Sequence, residues 1–307
     1  MTSSLHIRPD IKEALREGRA VVALESTVIT HGLPYPENLE TAMAMESAVR
    51  ESGALPATIG LVNGRVTVGL TGKEIELLAK QPVGTVRKCS RRDFAIAMAA
   101  KEHAGTTVAG TMLVAYRAGI RVFATGGIGG VHRGNPHDVS ADLEELGRTP
   151  VAVVCSGAKA ILDLPLTVEC LETKGVPVIG LGAETIPAFY YSDSGLGVDH
   201  CAADVEEVAR IIKTSLEFEA GGGVLVTVPV PAAAEMPREQ CETAIDRAVA
   251  EAEAKGIRGK DITPFLLARI AELTRGKSRD ANLALLINNA SQAGRIAVQL
   301  CYSLEGG

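Results

Sequence analysis

Short, wholly apolar runs that end in glycine or small polar residues alternate with amphipathic segments along most of this chain. The clearest are RAVVALEST (19–27), RVFATGGIGG (121–130), VAVVCSGAK (151–159), VPVIGLG (176–182) and GGGVLVTVPV (221–230). Runs of this length bounded by glycine read as strands, and strands alternating with helices predict a mostly parallel sheet covered on both faces. More strand and helix candidates fill the intervals. TVRKCS (85–90) and TTVAG (106–110) read as strands, RRDFAIAMAAKEHA (91–104) and TMLVAYRAG (111–119) as helices. In TIGLVNGRVTVGL (58–70), Asn63-Gly64 is a strong hairpin signal, and Thr71-x-x-Glu74 has the capping-box pattern. From Arg238 onward the pattern is mostly helical. No linker, low-complexity tract or fixed-period repeat interrupts it, so the expectation is one α/β domain over 1–307, three-layered α/β/α with a mostly parallel, mixed central sheet.

Composition narrows the function classes. A formal charge of −6 over 307 residues, with 3% aromatics and no Trp, argues against a nucleic-acid surface. No apolar run reaches membrane-spanning length, and MTSSLHIRPDIKEALREG lacks an apolar core of signal-peptide length. Cysteines at 89, 155, 170, 201, 241 and 301 form no C-x-x-C pair. Free thiols in a reducing, cytoplasmic setting are therefore expected.

In open parallel sheets, ligands bind beyond the carboxyl ends of the strands. The residues there are Glu25-Ser26-Thr27, Lys88 and Ser90, Thr125 with its glycines, and Lys159. Glu25 follows VVAL directly. It reads either as a strand-end carboxylate paired with an arginine or as a positioned acid or base. The glycine loops match no nucleotide fingerprint: His132 and Thr185 stand where third glycines would be needed, and TRGKS has Ala271 at the first-glycine position. They remain either tight turns or a backbone able to approach a phosphate closely.

VHRGNPHDVSADLEELGR (131–148) is the densest polar stretch. Ser140 reads as an N-cap. Asp138 and Asp142, with His132 and His137 nearby, also suit a hard divalent cation held by one or two carboxylates, waters and substrate oxygens. Lys159 falls where a helix should begin after the strand VAVVC. Helix N-termini disfavour an ammonium group, and apolar neighbours favour the neutral amine, a nucleophile suited to carbonyl carbons. A lysine whose head reaches water is the competing reading.

The strings ALESTVITHGLPYPEN, KCSRRD, TTVAGTM, FATGGIGGVHRG, DVSADLEEL, CSGAKAILDLPLT, TPFLLARIAELT and NLALLINNA occur in order from about Glu25 to Ala290. Together they resemble the pseudouridine-5′-phosphate glycosidases, also called indigoidine synthase A-like proteins. The resemblance implies a trimer with an α/β/α layered fold. It implies reversible cleavage of the carbon–carbon glycosidic bond of pseudouridine 5′-phosphate, giving uracil and ribose 5-phosphate. By it, Lys159 is the nucleophile, Glu25 the proton donor and Asp138 the ligand of a divalent metal, usually manganese. Lys88, Val108, Ser140, Ala141 and Asp142 match substrate-contacting positions, as does Thr125, and Asn282 matches a contact to the uracil. Only Asn-Pro-His separates HRG from Asp138, a shorter spacer than the resemblance leads one to expect.

Such chemistry needs these residue types. Carbon is a poor leaving atom, so two carboxylates flanking an ordinary glycoside would not suffice. An iminium on Lys159 supplies an electron sink, and protonation of the uracil ring carbon lets the base leave. Two other classes compete with this reading. A ribokinase-type sugar kinase would carry a D-T-x-G-A-G-D motif, which is absent. A non-catalytic sugar-phosphate-binding protein would need neither Lys159 nor Glu25.

Overall fold

The computed structural model describes residues 5–82, 84–257 and 262–305. Its first half carries strands β1 (Leu5–Ile7), β2 (Val21–Leu24), β3 (Leu55–Val62), β4 (Arg65–Val68), β5 (Arg87–Cys89), β6 (Ala104–Thr106) and β7 (Val122–Ala124). Among them lie helices α1 (Pro9–Arg16), α2 (Glu37–Glu51), α3 (Gly72–Ala79), α4 (Phe94–Ala99) and α5 (Val108–Ala118). Next come β8 (Val131–His132), β9 (Asn135–Val139), α6 (Ala141–Leu146), β10 (Ala152–Cys155), β11 (Leu162–Asp163) and α7 (Leu164–Thr173). They are followed by β12 (Val178–Leu181), β13 (His200–Ala202), α8 (Val205–Glu217) and β14 (Val224–Thr227), then α9 (Arg238–Ala254), α10 (Ile262–Leu273) and α11 (Lys277–Glu305).

Among the described residues the central sheet has 11 strands. Strands β3, β2, β7, β10, β14, β12 and β13 lie in that order and run parallel. β4 and β6 pair with β3 antiparallel, and β1 and β5 extend them. β2, β7, β10 and β14 are buried along their whole length. That is the consequence of helices on both faces, and it is why these strands read as continuous apolar runs. Helices α2, α8 and α11 pack together on one side, while α5, with α6 beside it, lies across β2, β3 and β7. The mixed, mostly parallel α/β architecture is the one the alternation of runs predicts.

Local signals held where the physics is local. Asn63 and Gly64 turn the β3–β4 hairpin with φ of 51° and 72°, the left-handed pair that a two-residue hairpin turn requires. Thr71 and Glu74 cap α3 reciprocally. All six cysteines are free. TRGKS forms the corner between α10 and α11, where the Thr274 hydroxyl accepts from the Ser278 amide at 3.2 Å, so it is no phosphate loop. Among the described residues no helix is long and apolar enough to cross a membrane.

Three expectations need correction. TTVAG is not a strand: β6 stops at Thr106, and Thr107 caps α5 by accepting from the Gly110 amide at 3.2 Å. RRDFAIAMAAKEHA is not one long helix. A single 3₁₀ turn precedes α4, which ends at Ala99, and Ala104 already belongs to β6. Lys159 does not open a helix. The chain runs on through β11, and α7 begins at Leu164, where Asp163 accepts from the Leu166 amide at 3.1 Å. Asp163 and Pro165 together make a stronger helix start than SGAK. The helix-dipole argument for the amine therefore falls.

Candidate active site

From β2 the chain goes to β3 on one side, and later β7 is added on the other side of β2, followed by β10. The boundary between β2 and β7 is thus the point where strand order reverses, and open sheets form a crevice there. Glu25 leaves β2 and Thr125 leaves β7 at this crevice. Glu25 is 8% exposed. Its carboxylate accepts from the hydroxyls of Thr27 and Thr125. Ser26, fully buried, donates to the Ile59 carbonyl at 2.6 Å and accepts from the Thr106 amide at 2.9 Å. It pins the end of β2 where β6 takes over the edge of β3. A short π-helix, Val28–Gly32, follows at once, a distortion frequent at functional sites.

The loop carrying Lys159 lies against the glycine loop after β7. The Ser156 amide donates to Gly126 at 2.9 Å, Ile128 to Gly157 at 3.1 Å, and Lys159 to Ile128 at 3.1 Å. Gly157 has φ of 79°, and a Cβ there would sit 2.2 Å from the Pro187 carbonyl oxygen, so no side chain fits. Beneath it Phe189, 3% exposed, also holds a left-handed φ of 65°, and its amide donates to Ser156 at 3.1 Å. A bulky residue in that region is a costly exception, kept only where the surroundings enforce it. On the far side of Lys159, Arg133 donates to the carbonyls of Ala160 at 3.0 Å and Leu162 at 3.1 Å while pairing with Glu242 and Asp246 of α9. Lys159 thus sits between two fixed ends.

The short Asn-Pro-His spacer resolves into the β8–β9 hairpin, which turns at Arg133-Gly134. β9 carries His137, exposed, and Asp138, half-buried, which point to opposite faces as neighbours on a strand do. Ser140 caps α6, accepting from the Asp142 amide at 3.2 Å. Both carboxylate oxygens of buried Asp142 accept main-chain amides, Ala109 at 3.0 Å and Gly129 at 2.8 Å. Asp142 therefore ties the start of α5 to the glycine loop. Ala141 is exposed at the start of α6, and Val108 is buried as the first residue of α5. Lys88 lies in β5, and three residues on Arg91 grips Glu145 of α6 through bonds of 2.8 and 2.5 Å. Asn282 is half-buried in the second turn of α11.

Electrostatics brings the scattered groups together. Burial holds the His132 imidazole below its ordinary range. Asp138 opposes that, and the ammonium groups of Lys88 and Lys159 reinforce it. Lys88, Asp138 and Lys159, from three separate segments, thus share the field of one half-buried imidazole. Burial pushes the thiols of Cys89 and Cys155 up to about 12. Among the described residues no group of three or more His, Cys, Asp or Glu could cage a metal. Asp138 with waters and substrate oxygens instead fits the sparser mode of hard cations. Two surface clefts, of about 360 and 400 Å³, lie elsewhere, along α9 and α10 and beside Tyr191 and Arg238. Neither contains Glu25, Asp138 or Lys159.

The family model for indigoidine synthase A-like proteins matches residues 10–299. The chain belongs to that family. This indigoidine synthase A-like chain is 52% identical, over 96% of both chains, to the pseudouridine-5′-phosphate glycosidase of Alkaliphilus metalliredigens. It is 55% identical to the protein of that name from Chloroflexus aurantiacus, covering 96% of this chain and 98% of the relative. Among solved structures it superposes with a TM-score of 0.92 and 38% identity, over the whole of both chains, on a prealnumycin C-glycosynthase in complex with ribulose 5-phosphate. An indigoidine synthase A-like protein from Thermotoga maritima aligns with a TM-score of 0.88 and 36% identity, over 97% of this chain and 96% of the other.

Several residues that build the site escaped sequence reasoning. Asn289 and Phe189 are the main ones, and the string HRG includes Arg133 without giving it a role. The adjacent pair Asn288-Asn289 among the apolar residues of NLALLINNA was the available signal for Asn289. Nothing local marks Phe189, because its backbone is imposed by its neighbours.

Proposed function

We propose that this chain is a pseudouridine-5′-phosphate glycosidase, cleaving its substrate reversibly to uracil and ribose 5-phosphate. The observation that carries this reading is full-length identity of 51–55% to proteins of that name. It is supported by a carboxyl group that follows β2 and a lysine in the loop after β10, two strands separated only by β7.

In this reading the Lys159 amine attacks C1′ of the sugar. The C1′–N bond forms, the C1′–O4′ bond breaks, and the amine proton passes to O4′. Glu25, in its protonated form, delivers a proton to C5 of the uracil ring. The C1′–C5 bond then breaks with its electrons going to the base, and an iminium remains on Lys159. Water hydrolyses it, returning the amine and ribose 5-phosphate. Holding two reacting groups on fixed segments makes the step effectively intramolecular, a large contribution to its rate. Strands stand about 4.8 Å apart, so groups leaving β2 and β10, separated by β7, can face one small sugar. Lys88, Val108, Thr125, Ser140, Ala141, Asp142 and Asn282 belong to the substrate's surroundings in the same reading. Lys88 is suited to the 5′-phosphate and Asn282 to the base.

A divalent cation, manganese or another, would be held by Asp138 and would fix the substrate's oxygens through ordered water. A trimeric assembly and a cytoplasmic setting complete the proposal. The test is incubation of the purified protein with pseudouridine 5′-phosphate and manganese, followed for free uracil. Absence of uracil under all divalent cations sinks the reading. Comparable turnover of unphosphorylated pseudouridine would remove the phosphate from the recognition.

A further inference from the structure

Helix α11 lays a polar group into an otherwise apolar face. Leu285, Leu286, Ala290, Ala293 and Ile296 are buried, and among them Asn289 is fully buried. A buried amide is costly unless its hydrogen-bonding capacity is used. Here it is. The Asn289 Nδ2 donates to the Thr125 carbonyl at 2.9 Å, to Gly126 at 3.3 Å and to the Ser156 hydroxyl at 3.1 Å. Ser156 Oγ donates back to Oδ1 at 3.3 Å. The same stretch of α11 presses on the glycine loop, since a Cβ on Gly126 would lie 3.1 Å from Leu286 Cδ2.

Each partner leads to one of the two reacting groups. Thr125 holds the Glu25 carboxylate through its own hydroxyl. Ser156 opens the segment whose Gly157 and Lys159 are bonded to Ile128. One side chain therefore staples together the loop that orients the acid and the loop that carries the amine, without reaching either reacting group itself.

We propose that Asn289 is a positioning residue that sets the distance between Glu25 and Lys159 by fixing Thr125 and Ser156 to the same helix. This rests on the glycosidase reading. A bare structural role would also make Asn289 important for stability, so stability alone does not discriminate. The consequence special to positioning is a loss of turnover in folded enzyme without a matching loss of substrate binding, because a displacement of about 1 Å near reacting groups costs on the order of a hundredfold in rate.

The experiment measures kcat and KM for uracil release by wild type, Asn289→Ala and Ser156→Ala, each well below its own melting temperature and corrected for the folded fraction by circular dichroism. Alongside, the rate of borohydride trapping of ribose 5-phosphate is followed. Asn289→Ala is expected to lose more than about tenfold in kcat while KM moves less than about threefold, and to trap sugar more slowly. Ser156→Ala, which leaves the Thr125 bond in place, is expected to lose less, and the double variant no more than Asn289→Ala alone, because the two residues act as one unit. Folded Asn289→Ala with kcat within about threefold of wild type overturns the proposal. Should that variant not fold, Ser156→Ala decides, and unchanged kcat in it is equally fatal. If wild type itself releases no uracil, the glycosidase reading has failed, a result distinct from either of these.

Discussion

The Thr125 hydroxyl donates to the Glu25 carboxylate across the boundary between β2 and β7, joining residues 100 positions apart in sequence. Thr27 donates to the other carboxylate oxygen. A hydroxyl both donates and accepts. Either threonine can therefore rotate to accept when Glu25 takes up a proton, so both protonation states are held in one orientation. The proposed role of Glu25 as a proton donor calls for this arrangement.

Thr125→Val keeps the shape and removes that hydroxyl. Uracil release is expected to fall about tenfold or more, the order of a lost orienting group in acid–base catalysis. Trapping of ribose 5-phosphate on Lys159 should continue. Unchanged uracil release by Thr125→Val would show that Glu25 does not depend on this bond.

Lys159 is expected to form a reducible imine with the sugar. Borohydride added to the enzyme with ribose 5-phosphate should attach the sugar phosphate covalently, with the label on the peptide containing Lys159. Lys159→Ala should lose both label and turnover, whereas Glu25→Gln should keep the label and fail to release uracil. A label on Lys88 would assign the nucleophile to the wrong lysine.

Asp138 is the carboxylate proposed to hold a divalent cation near the sugar. Chelated wild type should lose most of its turnover and regain it with manganese, and Asp138→Ala should not regain it. Isothermal titration of the unloaded protein with manganese gives a readout independent of turnover. Full activity after exhaustive chelation, or equal manganese binding by Asp138→Ala, refutes the assignment.

Glu145 couples the site's outer wall to pH. Burial alone would raise its carboxyl, but hydrogen bonds from Arg91, Thr149 and Arg148 outweigh burial and hold it below its ordinary range. A carboxyl depressed in the folded state adds stability that is present above its unfolded value, about 4.3, and is lost as pH falls through the folded one. Arg91 and Arg148 are 40% and 44% exposed, so solvent screens the charge term. Glu145→Gln is expected to cost about 2 kcal/mol at pH 7, typical of hydrogen bonds to a charged group. The difference from wild type should shrink below pH 4 in chemical denaturation. A difference that stays constant down to pH 3 would place the effect in packing instead of charge.

How much of this was legible in the chain depends on how far each cause acts. Alternating apolar runs announce a parallel sheet because burial on both faces removes the need for polar positions along a strand. The Asn63-Gly64 turn, the Thr71–Glu74 box and the Ser140 cap were readable because their partners lie within three residues. The residues at strand ends could be enumerated, since a strand must stop and something must follow it. Tertiary structure decided the rest. It placed the start of α7 at Leu164, five residues beyond Lys159, because β8 pairs with Leu162-Asp163 and holds that segment extended. It put Phe189 in a left-handed conformation that no local preference favours, under the loop that Gly157 closes. It gave the amide of Asn289 its partners, 133 and 164 residues away, at Ser156 and Thr125. A hydrogen bond closed over that distance leaves no mark on the residues beside it, since its energy depends on where the sheet and helix have brought the two ends.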